Sequence, residues 1–150
     1  MSQSVGTCSA NIGCLTAGGP VNGQWLTGAN IGNGCQTTYH TYGKTSDMMI
    51  PGPSMLWVFC DEHPDSINDA MVAVQLARIG PFATIIDYPA SYHNAACGFA
   101  FADGHAEIHK WVGKGIQFPV SWSSGNFASG SHAANDSFPD VAWLQQRTSY

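Results

Sequence analysis

Apolar residues along the chain fall into short, strand-length runs broken by Gly and Pro. "MIPGPSMLWVFCDE" offers a Pro/Gly turn followed by the apolar run Met55 to Cys60. "AMVAVQL", Ala70 to Leu76, sets two valines at alternating positions, the period of a strand with one buried face. Ile67, Ala70, Met71 and Val74 also fit one face of a helix, so this segment reads either way until Gly80-Pro81 ends it. "FATIIDY" follows as a further strand. The clearest element is "GFAFADGHAEIHKW", in which Asp103-Gly104 predicts a two-residue type I′ turn joining two strands. Phe99 and Phe101 then share one face and Ala100 and Ala102 the other, while Ala106, Ile108 and Lys110 alternate with His105, Glu107 and His109.

The first 43 residues differ from the rest. Met1 to Gly43 has no Asp, Glu, Lys or Arg, and Gly and Asn recur, as in "TGANIGNGC", which predicts irregular turns wrapped over a core made elsewhere. The expected organisation is one domain: residues 1–43 irregular, 44–112 a sheet core, and 113–150 a C-terminal loop and tail. The fold class is α+β, mostly antiparallel β-sheet.

Composition narrows the function. Charged residues are only 10% of the chain and the net charge is -5, so the surface is Ser, Thr, Asn, Gln and Gly. Five Lys and Arg in all leave no basic stripe for phosphates, which excludes nucleic acid as the expected partner and favours cations. The style suits an extracytoplasmic protein. The longest unbroken apolar run, Met55 to Cys60, is far short of a membrane span, and no signal-like N-terminus is seen. Cys60 and Cys97 read as small buried core residues. Cys8, Cys14 and Cys35 lie where a disulfide would help most, and one bridge is expected among them. Trp57, Trp143, Trp25 and Trp122 are expected mostly in the core.

Two clusters carry candidate chemistry. His105, Glu107 and His109 on one strand face offer two imidazoles and a carboxylate, a set suited to Zn2+. "CDEHPDSIND" gathers Asp61, Glu62, Asp65 and Asp69 at the end of an apolar strand, hard oxygen ligands suited to Ca2+. The plainer reading is a solvated acidic turn in which Asp65 or Ser66 caps a helical turn. No GxSxG or HExxH is present. An enzyme built on these residues would be a metal-dependent hydrolase of esters or lactones, with Ca2+ or Zn2+ polarising the carbonyl and His93, His63 or Glu62 as general base.

His93 and Asp103 enclose nine residues, "NAACGFAFA", giving His-X9-Asp-Gly. With "MLWVFCDEHPDSIND" before it and "DVAWLQQRT" near the end, the chain from about Gly23 to Tyr150 resembles the globular part of bacterial prepilin-type, pseudopilin-like proteins of the His-X9-Asp-Gly group. The resemblance implies a pilin-like head lacking the long N-terminal stem helix. The implied role is a structural or interaction module of a type II secretion or pilus-like apparatus, whose partners are other pilin-like or secretion-apparatus subunits. Related heads carry a structural Ca2+ in a C-terminal loop, for which the residues available here are Asp103, Glu62, Asp69, Asp136 and Asp140.

Overall fold

The computed structural model describes residues 2–6, 44–67, 71–76, 78–123 and 131–148, with main chain alone at 2–6 and 71. Seven strands and one α-helix occur among them: β1 (Ser2–Gly6), β2 (Trp57–Cys60), β3 (Met71–Gln75), β4 (Thr84–Ile85), β5 (Ala96–Phe101), β6 (Ala106–Lys110), β7 (His132–Ala133) and α1 (Phe138–Gln145). Five form a sheet in the order β3-β1-β2-β5-β6, and β4 pairs with β7. All pairings are antiparallel except β1 with β3. The fold is therefore α+β, mostly antiparallel sheet.

One sheet face is buried. Trp57, Phe99 and Phe101 turn inward with Trp111, Ile116, and the α1 residues Val141 and Leu144. Phe99 meets Trp57, Trp111 and Trp143 edge-on at ring separations of 5.8, 6.0 and 5.0 Å, arrangements that suit aromatic quadrupoles. α1 begins with Pro139 in its first turn, where a missing N–H costs nothing. Beyond its end, the Thr148 hydroxyl donates to Leu144 O and accepts from Trp57 Nε1, tying the tail to the sheet.

Three local expectations change. Ser2–Gly6, read as part of an irregular segment, is a strand between β2 and β3. Within the ambiguous segment Met71–Gln75 is strand β3, and Ala73 and Gln75 are buried along with Val72 and Val74. That two-sided burial explains why the alternating valines alone did not settle the segment as a strand with one buried face. The β5-β6 hairpin forms, but with a three-residue loop: Phe101 N–H donates to His105 O, Gly104 N–H donates to Phe101 O, and of the turn residues only Gly104 has positive φ, +93°. This is a turn with a glycine bulge rather than the two-residue form. Cys60 and Cys97 are buried in the core, as expected. Cys8, Cys14, Cys35, Trp25 and Asp69 lie outside the described residues.

Candidate functional site

The His-X9-Asp-Gly spacing is the length of one strand and its two turns. His93 sits in the turn entering β5, Asp103 in the turn leaving it. A six-residue strand spans on the order of 20 Å, so the two side chains cannot hold one ion. At the entrance, His93 Nε2 lies 3.3 Å from Asp61 Oδ2 and the Tyr92 ring packs on the imidazole at 4.3 Å. The turn is closed by Ala95 N–H donating to Ser91 O, and both Asn94 and Ala95 have positive φ, 56° and 59°. For alanine that is a strained conformation. At the exit, Asp103 Oδ1 accepts from the His105 ring and main chain, and these bonds hold its carboxyl below the usual carboxylate range. His105 in turn stacks on Phe101 at 4.3 Å.

The acidic turn after β2 is mostly structural. Asp61 is exposed, whereas Glu62, His63, Asp65 and Ser66 are buried. His63 Nδ1 accepts from Asp65 N–H and its Nε2 faces Phe118 O, each at 3.2 Å. A main-chain N–H only donates and a carbonyl only accepts, so these two contacts place a ring proton on Nε2. Asp65 accepts from both Ser121 N–H (2.7 Å) and Ser121 Oγ (2.9 Å), and the main-chain bond is the chief reason its carboxyl sits below its ordinary value. Ser66 Oγ accepts from Tyr88 N–H. Asp65 and Ser66 thus hold distant segments rather than cap a local helical turn. Of the three residues considered as a general base, only His93 reaches solvent.

The C-terminal carboxylates form a clamp that sequence reasoning missed. Asp140 accepts from the N–H groups of Val112 (3.0 Å) and Gly113 (2.8 Å), Asp136 from Lys114 and Gly115 (both 2.8 Å), and Ser137 Oγ from Ile116 (2.8 Å). Consecutive donors from 112 to 116 are thereby satisfied by side chains at the start of α1. The approach is close enough to require glycine: a Cβ on Gly113 would lie 2.2 Å from Ser137 Oγ, and one on Gly115 would lie 2.5 Å from Ala134 O. The available signal was "VGKG" facing a loop with Asp, Ser and Asp. Each of the four carboxylate oxygens of Asp136 and Asp140 thus accepts one main-chain N–H, a use for these acids that needs no ion.

His105, Glu107 and His109 share one strand face, opposite Phe101, Phe99 and Cys97, with His105 engaged by Asp103 in the turn. His109 stacks on Trp143 at 3.8 Å, and Arg147 covers the same indole at 4.2 Å. Burial pulls the His109 pKa down, opposed by Asp140 and Glu107. Among the described residues no three His, Cys, Asp or Glu side chains gather to hold a metal.

Over β2, β5 and β6 the opposite sheet face is open among the described residues. A bulge in β2 between Trp57 and Phe59 pairs Phe59 with Ala100, turning the phenyl outward and leaving it 59% exposed. Ile108, opposite Gly98, is 79% exposed. A shallow groove of about 490 Å3 runs between them over Gly98, Ala100 and Ala106, with Asp61 at one end. Trp122 is also exposed.

No protein-family model, curated protein or solved structure matches this chain. Among the described residues no helix is long and apolar enough to cross a membrane.

Proposed function

We propose that this chain is an extracytoplasmic interaction module, the sheet-bearing head of a pilin-like protein, which docks other subunits through its outer sheet face. The observation that carries the reading is the open groove between Phe59 and Ile108, floored by Gly98 and Ala100. A sheet whose other face holds the whole aromatic core would leave such side chains exposed at a cost in solubility unless a partner covers them. The engagement of Asp65, Asp103, Asp136 and Asp140 with main-chain and histidine donors supports a scaffold role for the acidic residues.

The test is calorimetric titration of the purified chain with the head domain of a pilin-like subunit, with Phe59→Asp as control. Binding by the parent chain, lost in Phe59→Asp at unchanged melting temperature, is the expected result. No binding by the parent, together with metal-dependent ester turnover, would overturn the reading.

A second reading, a small ester or lactone hydrolase, draws on one observation: Asp61 both lines the groove and orients the His93 imidazole, the arrangement a general base needs. Turnover of activated esters or lactones that His93→Gln abolishes without lowering the melting temperature would favour it.

A further inference from the structure

The two edges of the large sheet are treated differently. On β3, the main-chain N–H of Ala73 donates to Asp87 Oδ2 at 2.6 Å, and Gln145 Nε2 donates to Gln75 O at 2.6 Å. Side chains thus occupy main-chain groups where another strand would pair, a common way of blunting an edge. β6 is the opposite edge. Phe101 pairs with His105 through Phe101 N–H, and Trp111 N–H donates to Ala95 O, so the odd-numbered residues of β6 face β5. By antiparallel alternation, the N–H and C=O groups of Ala106, Ile108 and Lys110 point away from the sheet. No described side chain bonds to them, β6 contains no proline, and Ile108 stands 79% exposed at its centre.

We infer that β6 pairs antiparallel with β6 of a second copy of this chain, about a two-fold axis through Ile108. The residues that face one another across that axis, with Arg147 beside them, suit this occupant. Pairing Ile108 with its own counterpart sets Glu107 opposite the partner's His109, and Ala106 opposite the partner's Lys110, with faces preserved because opposed residues in an antiparallel pair share a side. Arg147 lies over Trp143, against which His109 stacks, so each Glu107 comes to a corner of the other copy where the Arg147 guanidinium carries the positive charge. The small Ala106 leaves room for the stem of Lys110. The two sheets become one continuous sheet with both β6 edges closed. This deepens the interaction reading by naming a partner, and it rests on the edge rather than on the Phe59 groove.

Sedimentation velocity at physiological salt tests it. The expected species is twice the 15.9 kDa chain mass. Ala106→Pro, which removes an outward N–H while sparing the β5 ladder, and Ile108→Lys should each give monomer with an unchanged circular dichroism spectrum. Glu107→Lys should also give monomer, and Glu107→Lys with Arg147→Glu should recover the dimer. Under oxidised glutathione, Ile108→Cys should cross-link between copies and Val112→Cys should not. A monomeric parent chain, a dimer indifferent to Ala106→Pro and Ile108→Lys, or equal cross-linking at position 112 overturns the inference. A monomer that still binds a pilin-like head through Phe59 removes the dimer and leaves the proposed function standing.

Discussion

Asp136 and Asp140 divide four consecutive main-chain N–H groups between them, Asp140 taking Val112 and Gly113, Asp136 taking Lys114 and Gly115. The arrangement fixes the exit of β6 to the start of α1. It also gives acidic residues that resembled metal ligands a different use, as fixed acceptors for a glycine-rich loop whose donors have no strand to pair with.

Replacement of Asp140 by Asn keeps the volume but turns one acceptor into a donor facing an N–H. With hydrogen bonds to a charged group contributing about 1.5–3 kcal/mol each, the loss should be about 3 kcal/mol. Gly113→Ala should cost about the same, near the upper end of overpacking, because the added methyl meets Ser137 main chain as well as its hydroxyl. Each variant should lower the melting temperature by roughly 6–12 °C. Thermal unfolding checks this, and a Gly113→Ala protein as stable as the parent would show that the loop does not approach α1 so closely.

Acid should open the same contacts. Asp65, Asp103 and Asp136 all have folded-state pKa values below the ordinary carboxylate value, because of bonds from Ser121, His105, and Lys114 with Gly115 respectively. A depressed folded pKa means stability that is fully present above the unfolded value, about 3.9, and lost as the pH falls through the lower folded values. These three carboxylates should therefore contribute no change in chemical denaturation above about pH 5 and a fall below about pH 4. Asp136→Asn should be less stable at neutral pH and show a shallower fall, and an unchanged slope would remove Asp136 from this account.

The hairpin was legible because its signals are local. Asp103-Gly104 and the alternating Phe99, Phe101 and Ile108 lie within one short segment. Even so, the turn type depended on Phe101 pairing with His105, which the dipeptide does not specify. β3 was ambiguous because its fit to a strand rests on neighbours covering Ala73 and Gln75 as well as the valines. β1 gave no signal at all: a short uncharged segment whose place depends on parallel pairing with a strand far along the chain. Asp136 and Asp140 were visible as loop acids, but their partners stand 21 to 28 residues away. Periodicity therefore showed that these residues were available and could not show what they bind.

A second pH response should come from the opposite sign of group. His109 is half-buried against Trp143, and its Nε2 has no hydrogen-bond partner among the described residues. Protonation would place a charge there with Arg147 over the same indole, opposing it, and Glu107 and Asp140 only partly offsetting the burial. The folded pKa lies below the unfolded value of about 6.5, so the folded state binds fewer protons in that window and stability rises with pH across it. The contribution is complete above about pH 6.5 and is lost as pH falls toward the folded value. Between neutral pH and about pH 5 the parent chain should lose stability while Trp143 fluorescence reports a loosened α1, and His109→Phe should flatten this part of the profile. An identical profile for His109→Phe would mean that another group supplies the response and that the His109–Trp143 stack does not couple α1 to pH.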